Sequence, residues 1–445
     1  MNIENKTTVL ISSPVDTYSG YGARSRDFIR AVIDAKPEWD VKLLAQRWGN
    51  TRWGYLKDHD MIDLANRITM QVTQQPDICI QISVPNEFQK IGKYNIGVTA
   101  GMETTLCDPS WIKGANNVDL LLVSSEHSKE TFLRSKFEVK NNQTGQIQDR
   151  IMLNTKMAVL FEGADITKYL PQQKDSSLDI NKTLDNIPES FCFFTTGHWM
   201  QGDFGEDRKN LGFTIKSFLE TFKNKKDAPA LVMKCHSVGT SIMDRERILD
   251  KVDEVRKTVK GKLPNIYFIH GEISDNEMNQ LYNHPKIKAF VSLPKGEGFG
   301  RPFLEFSLVN KPIMASSWSG QVDFLDKDLV RFVKGDLTNV HESATVKNMI
   351  LKESQWFTPD PVDTGKAYKD VYKNYKQWSV KAKKQGYKSR TEFSYDKMVD
   401  TLKEVLDTIP AVPKQVGLTL PKLKKVGGEK EVKMPTLKLP KLKKL

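Results

Sequence analysis

The feature of the sequence that most constrains its fold is a repeated alternation of short apolar runs with amphipathic segments. The first run, "TTVLISSPV" (residues 7–15), ends in small polar residues, which is typical of a buried parallel strand. A glycine-containing loop follows, and Phe28, Ile29, Val32 and Ile33 then repeat at helical spacing. Further strand-like runs of this series occupy residues 40–46, 77–84, 94–100 and 118–125. This order predicts an α/β, doubly wound sheet with right-handed crossovers.

A second series of the same kind begins near residue 190. Its strand-like runs occupy residues 191–197, 230–236, 265–271, 287–293 and 311–317, and helical patterns occupy residues 210–224 and 274–284. Two series in a chain of 445 residues indicate two domains. We therefore predict an N-terminal Rossmann-like domain at 1–165, a polar linker at 166–190, a second Rossmann-like domain at 191–385, closing C-terminal helices at 386–410 and a basic flexible tail at 411–445.

The composition is that of a soluble globular protein, with 39% hydrophobic and 27% charged residues. No secretory signal or run of about 18 apolar residues is evident, so we predict a cytoplasmic protein without stable membrane insertion. The four cysteines are scattered and form no CxxC pair, which indicates reduced thiols and no metal site.

In doubly wound sheets, ligands bind beyond the carboxyl ends of the strands, so the loops that follow the strands are the places to look for a site. Gly20 and Gly22 follow the first strand, where they would let the backbone approach a ligand or simply form a tight turn. Arg208 and Lys209 precede a helix of the second series, where they suit a diphosphate or form a solvated basic pair. The neighbouring strand contributes two further ligand-binding candidates, Lys234 and His236.

The stretch "PKGEGFGRPFLE" (294–305) places two carboxylates, Glu297 and Glu305, on either side of a glycine-rich turn. Pro302 fits the first turn of a helix, because its missing N–H costs nothing there. Both carboxylates can therefore face one cleft and accept hydrogen bonds from ribose or sugar hydroxyls. Gly298, Phe299 and Gly300 are the loop residues that we assign to the ligand site.

These motifs resemble those of retaining glycosyltransferases of the GT-B fold, family 4 type. That family carries two glutamates separated by seven residues at its nucleotide-sugar site, as "EGFGRPFLE" does here. Segments 161–170, 207–210, 270–282 and 315–325 resemble further family motifs in the same order. The resemblance implies two Rossmann-like domains that face a central cleft. It also implies transfer of a hexose or pentose from a nucleotide diphosphate sugar, UDP more often than GDP or ADP, with retained configuration and without a required metal or cofactor.

By the same resemblance, Glu305 would hold the ribose hydroxyls and Glu297 the transferred sugar, while Arg208 and Lys209 neutralise the leaving diphosphate. Many relatives carry a histidine near the sugar where this chain has "TAGMETT" (99–105) with Glu103. We interpret Glu103 as a catalytic residue that contacts the acceptor or the sugar, although it could instead cap the next segment. We place His127, in contrast, on the face of a helix.

The C-terminal tail carries ten lysines and two glutamates, and so eight of the twelve net positive charges. The segment "LPKLKK" occurs in it twice, and its lysines are Lys422, Lys424, Lys425, Lys441, Lys443 and Lys444. Such a tail could bind a polyanion, a protein groove or an anionic membrane, or could merely aid solubility. Segment 368–390 interleaves lysines with aromatic residues, a pattern that suits nucleic acid.

The chain also resembles glycosyltransferases of large tailed bacteriophages that decorate hydroxymethylated bases in DNA. This resemblance implies DNA as acceptor and partner, and the host cytoplasm as location. One alternative is a glycosyltransferase of surface polysaccharide or lipopolysaccharide synthesis. A second is a non-catalytic adaptor whose tail docks onto a replication protein such as a sliding clamp.

Overall fold

The computed structural model describes residues 6–141, 143–237 and 239–411. Its strands are β1 Thr8–Ser13, β2 Asp40–Ala45, β3 Ile78–Ile82, β4 Tyr94–Val98, β5 Leu120–Val123, β6 Phe137–Lys140, β7 Ile147–Ile151, β8 Lys156–Val159, β9 Cys192–His198, β10 Ala230–His236, β11 Ile266–Ile269, β12 Ile287–Ser292, β13 Ile313–Ser316, β14 Arg331–Val333, β15 Gly335–Asn339 and β16 Gln355–Pro359. Its helices are α1 Gly20–Ala35, α2 Tyr55–Asp58, α3 Ile62–Ala65, α4 Pro109–Ala115, α5 Glu126–Arg134, α6 Asp179–Asp185, α7 Leu211–Phe222, α8 Ile242–Lys257, α9 Asp275–Asn283, α10 Arg301–Ser307, α11 Pro361–Lys373, α12 Tyr375–Glu392 and α13 Tyr395–Asp407.

Two parallel six-stranded sheets organise these elements into a first and a second lobe. The first sheet has the order β2-β1-β3-β4-β5-β8, and the second has the order β11-β10-β9-β12-β13-β14. The chain order reverses between β1 and β3 in the first sheet, and between β9 and β12 in the second. Such reversals open a crevice at the carboxyl ends of the strands, where ligands bind in folds of this kind. Two antiparallel hairpins, β6-β7 and β15-β16, complete the strands.

The second sheet is covered on both faces, and neighbouring phenylalanines of β9 explain why. Phe193 packs against Phe218 of α7 and Tyr368 of α11, whereas Phe194 packs against Tyr282 of α9. Successive residues of a strand point to opposite faces, so a continuous apolar run requires helices on both sides. The α/β doubly wound prediction is therefore confirmed, and each predicted strand run overlaps one of the strands β1–β5 and β9–β13.

The chain returns to the first lobe at its end, since α13 packs against α1. Tyr395 donates a hydrogen bond to Asp34 (2.6 Å), Lys36 pairs with Asp407, and Arg24 reaches Met398 (3.3 Å). Residues 1–410 accordingly form one compact unit. The predicted linker is not wholly irregular, because it contains α6, whose Ile180 and Leu184 are buried. The predictions for the tail, including its six named lysines, lie outside the described residues.

The interpretation of segment 368–390 as a nucleic-acid surface is corrected in part. Tyr368 is fully buried, and Trp378, with 9% of its surface exposed, donates a hydrogen bond to Asp370 (3.1 Å). Both rings lie on the inner faces of α11 and α12, where no base could stack on them. Tyr387, with 67% exposed, remains accessible, and Tyr372 and Tyr375 are half-buried.

Candidate active site

Two loops from different lobes meet where the strands of both sheets end. Residues 99–105 follow β4, and residues 293–300 follow β12 at the reversal point of the second sheet. A Cβ atom added to Gly296 would lie 1.9 Å from the carbonyl oxygen of Glu103, and one added to Gly298 would lie 2.1 Å from that of Ala100. Glycine is thus required here because the two backbones touch.

A cluster of two cations and two carboxylates occupies this junction. Lys209 Nζ lies 2.5 Å from Glu297, and Arg208 Nη1 lies 3.4 Å from Glu297 and 3.5 Å from Glu103 of the other lobe. Arg208 also donates a hydrogen bond to the carbonyl of Gly296 (3.2 Å). The side chains of Arg208, Lys209 and Glu297 are about nine-tenths buried, so each charge depends on the others.

The pKa values of the cluster follow from burial and from its charges. Burial tends to raise the pKa of Glu297, but the charges of Lys209 and Arg208 outweigh it and hold that pKa below its ordinary value. Burial raises the pKa of Glu103, with only partial compensation by Arg208. Burial also lowers the pKa of Lys209, while the two carboxylates keep that of Arg208 above its ordinary value.

The backbone of the glycine-rich loop is held by the segment after β13. The N–H of Glu297 donates to the hydroxyl of Ser319 (2.9 Å), and the N–H of Gly320 donates to the carbonyl of Glu297 (2.9 Å). Ser319 has φ +78°, a conformation that is strained for a residue with a Cβ atom. These two hydrogen bonds of its main chain therefore fix the position of Glu297.

Glu305 belongs to a different ion cluster. It accepts a hydrogen bond from Arg301 Nε (2.7 Å), and Arg301 Nη1 pairs with Asp27 of the first lobe (2.5 Å). Glu297 and Glu305 thus border the same glycine-rich loop without sharing a cation. Glu305 is the fifth residue of α10 and lies in its second turn.

The other predicted loop residues have mainly structural contacts. Phe299 is a core residue that packs against Phe324 (4.9 Å), so its side chain does not line the cleft. Gly300, with φ +97°, begins α10 in a conformation that favours glycine. Gly20 and Gly22 lie in the first turn of α1. A Cβ atom on Gly22 would lie 2.3 Å from the carbonyl of Thr17, whereas Gly20 faces open space.

Three histidines line up at the carboxyl ends of adjacent strands of the second sheet. His198 ends β9 and stacks on His236 at the end of β10 (4.9 Å), and His270 after β11 lies 3.3 Å from Asp244. Burial lowers the pKa of His236 to about 4, so this ring is neutral at pH 7. The ammonium of Lys234 has no ion-pair partner within the described ranges, and burial lowers its pKa.

Several residues of the site were missed at the sequence level. Lys295, only 2% of whose side chain is exposed, pairs with Glu206 (3.2 Å) and lies over the ring of Trp356 (5.2 Å). The sequence feature that could have revealed Lys295 is its position between an apolar strand and the glycine-rich loop. His127 lies in α5, as the sequence predicted, and its ring faces Trp318 of the other lobe edge-on (4.5 Å), so this face of the helix lies at the lobe interface.

A cleft of about 410 Å³ opens at the reversal point of the first sheet. Its lining includes Ser12, Gln46, Arg47, Trp48, Gln81 and Glu87. Trp48 stacks on Tyr21 (4.0 Å), whose hydroxyl accepts a hydrogen bond from the N–H of Ala100 (3.2 Å). The cleft wall is therefore connected to the loop that carries Glu103. Next to it Arg47 lies over the ring of Trp53 (5.7 Å), which is 39% exposed.

The part of the chain that the structure describes shows neither a candidate metal centre nor a candidate membrane-spanning helix. It contains no group of three or more His, Cys, Asp or Glu residues placed to hold a metal ion. None of its helices combines the length and the apolar character that a bilayer crossing requires.

Comparisons with known proteins identify the fold. The chain superposes on a glycosyltransferase from Rickettsia africae with a TM-score of 0.59 and 14% identity, covering 90% of this chain and 98% of that one. For sucrose-phosphate synthase from Thermosynechococcus elongatus the TM-score is 0.57 and the identity 11%, covering 91% and 98%. For HepE from Anabaena in complex with UDP-glucose the TM-score is 0.57 and the identity 11%, covering 90% and 100%. Neither protein-family models nor curated proteins give a match.

The class defined by these observations is an α/β protein of the GT-B fold, with two Rossmann-like lobes around a central cleft. The neighbours with this architecture are glycosyltransferases and sugar-phosphate synthases. The similarity spans nearly the whole of each structure, so both lobes and their pairing are included.

Proposed function

We propose that the protein is a retaining glycosyltransferase that uses a UDP-sugar as donor. The observation that carries this proposal is the cluster of Arg208, Lys209, Glu297 and Glu103 at the reversal point between β9 and β12. Two buried cations at this place suit a diphosphate, and carboxylates beside them suit sugar hydroxyls. The UDP-glucose bound in the HepE structure makes UDP the preferred nucleotide for the first test.

In the proposed reaction the bond between the anomeric carbon and the β-phosphate oxygen breaks. A bond from the acceptor oxygen forms on the same face of the sugar, and the acceptor proton passes to the departing diphosphate. Negative charge accumulates on the diphosphate, so Arg208 and Lys209 would stabilise the transition state. Donor binding would replace Glu297 as the partner of these cations, which frees its carboxylate for the sugar.

The test is nucleotide release from a panel of UDP-, GDP- and ADP-sugars without acceptor, together with equilibrium binding of UDP. We expect release from one UDP-sugar above the others. Once an acceptor is found, NMR of the product should give the same anomeric configuration as the donor. Absence of both binding and release across the panel would refute the assignment as a transferase.

For the acceptor, we propose a hydroxymethylated base of DNA, as in the phage enzymes that the sequence resembles. The support in the described residues is the loop after β2, where Arg47 and Trp53 stand exposed beside the first-lobe cleft. Aromatic rings flanked by guanidinium groups suit a base and its phosphates. Mass spectrometry of hydroxymethylated DNA after incubation with the donor panel would name the sugar. Labelled sugar on lipid or polysaccharide extracts alone would favour surface-polysaccharide synthesis instead.

Replacing Trp53 with alanine should reduce sugar transfer to DNA by about tenfold, because stacking on one base contributes roughly 1–3 kcal/mol. Nucleotide release without acceptor should stay unchanged, since Trp53 is not part of the cation cluster. Met70→Ala is the control, since that side chain is also apolar and is 89% exposed. Equal transfer by the two variants would remove Trp53 from the acceptor site.

A further inference from the structure

Arg301, at the start of α10, connects the two lobes through a single guanidinium group. Its Nη1 lies 2.5 Å from Asp27 on α1 of the first lobe, and its Nε lies 2.7 Å from Glu305 in its own helix. All three side chains are more than two-thirds buried. A planar guanidinium can donate hydrogen bonds to two carboxylates at once, and a lysine ammonium is less suited to this because it is a compact point charge.

Glu305 depends on this one partner. Among the described residues, Arg301 is the only cation within ion-pair distance of Glu305 and the only side chain that hydrogen-bonds to it. The other titratable groups that act on the pair are acids and phenols from neighbouring elements, together with two arginines of α1 whose charges act on Arg301: Asp27, Glu162, Asp275, Tyr169, Tyr282, Arg24 and Arg26. Asp275 is itself paired with Lys168 (3.1 Å). Without Arg301, Glu305 would thus face other acids, and none of the described cations would lie within ion-pair distance of it.

We propose that Arg301 is a positioning residue that couples lobe closure to nucleotide binding by fixing the Glu305 carboxylate for the donor ribose. This inference rests on the proposed function, in which Glu305 accepts hydrogen bonds from ribose hydroxyls. Asp27 lies in the first lobe, so the guanidinium is fully held only when the lobes are together. Nothing in the motif spacing requires an arginine at this position.

The charge of Arg301 also decides the ionisation of Glu305. Burial raises the pKa of Glu305, and Arg301 opposes that rise. Removing the cation leaves burial unopposed, so the carboxyl group of the variant stays protonated to a higher pH. A protonated Glu305 is a weaker acceptor for ribose hydroxyls, and raising the pH restores the carboxylate.

The experiment compares equilibrium binding of UDP and 2′,3′-dideoxy-UDP between pH 6 and pH 9. The wild-type protein should prefer UDP by about tenfold or more, the usual worth of hydrogen bonds to a charged acceptor. In Arg301→Met this preference should be smaller than in the wild type at pH 6 and should recover as the pH rises toward 9. Arg301→Lys should keep the preference but bind both nucleotides more weakly, since one ammonium cannot hold both carboxylates.

Asp27→Asn separates the two halves of the proposal. It leaves the Arg301–Glu305 pair in place, so both nucleotides should bind more weakly by the same factor and the preference for UDP should persist. The control is Arg30→Met on the same helix, which removes an exposed pair with Asp63 (3.3 Å) within the first lobe. It should change neither affinity nor preference.

The outcomes distinguish this inference from the function on which it rests. If the wild-type protein binds no UDP, or shows no preference over the dideoxy nucleotide, the role given to Glu305 fails and takes this inference with it. If the wild-type preference exists and Arg301→Met retains it at every pH, only the role of Arg301 is overturned. Thermal melting checks the folding of each variant. Should Arg301→Met fail to fold, Arg301→Lys and Asp27→Asn still decide the question, because both must lose affinity without losing preference.

Discussion

Replacing Lys209 with methionine should slow nucleotide release from the UDP-sugar by about 10²–10³-fold, the usual cost of removing one preorganised charge-stabilising donor. Lys209 is buried beside Glu297. The distance from its ammonium nitrogen to the Glu297 carboxylate (2.5 Å) is shorter than the distance from Arg208 to the same carboxylate (3.4 Å). In the proposed reaction it would neutralise the departing diphosphate. Release is measured by a coupled assay for UDP, and the affinity for UDP by calorimetry.

A second effect of the same substitution must be separated from catalysis. Removing Lys209 leaves Glu297 buried with Arg208 as its remaining cation, and breaking a buried pair typically costs about 3–5 kcal/mol of folding free energy. In the double variant Lys209→Met/Glu297→Gln both charges disappear, so the stability should largely return. Activity should not return with it, because the diphosphate still lacks its cation.

The matched control is Lys182→Met, which removes an ammonium from an exposed pair with Asp179. Exposed pairs contribute little to stability, so release and melting temperature should stay close to the wild type. Wild-type release rates in Lys209→Met, together with unchanged UDP affinity, would mean that the cluster only holds the two lobes together. The proposed transfer reaction would then lose its main support.

The sequence predicted the fold and the assembly of the cation cluster for one physical reason. Strands covered on both faces must be continuous apolar runs, so β9 and β12 were recognisable as such. Parallel strands bring their carboxyl ends to one edge, so the loops that connect them to the following helices must lie close together. Arg208, Lys209 and Glu297 therefore meet as their positions in the chain indicate, and the role of each stays a prediction.

What the sequence did not reveal are contacts between the lobes. The pairing of Arg301 with Asp27 joins residues that are far apart in the chain, and no local pattern encodes it. Phe299 was assigned to the ligand with the rest of the glycine-rich loop, yet its ring packs inward on Phe324. The burial of Tyr368 was recognisable in principle, since Thr364, Ala367, Tyr368 and Val371 form the buried face of α11 at helical spacing.

The glycine-rich loop gives the second prediction with a large effect. Alanine at position 296 would place its Cβ atom 1.9 Å from the carbonyl oxygen of Glu103, so one of the two loops must move. Overpacking of this kind costs about 1–3 kcal/mol of folding free energy. Displacement of catalytic groups by about 1 Å costs on the order of 10²-fold in rate, and both Glu103 and Glu297 belong to the loops that move. Gly296→Ala should therefore lose far more activity than stability.

Gly20→Ala is the informative counterpart, because a Cβ atom there meets nothing within 4 Å and the residue opens α1. Alanine is favoured over glycine within a helix, so stability should be unchanged or slightly raised. If nucleotide release is also unchanged, the requirement for glycine in this chain lies at the contact between the lobes and not at the first helix. If release falls in Gly20→Ala without a loss of stability, the backbone at Gly20 approaches the donor as the sequence predicts. If Gly296→Ala keeps the wild-type rate, the two loops do not need to touch for catalysis, and the interlobe cluster loses its role in the proposed reaction.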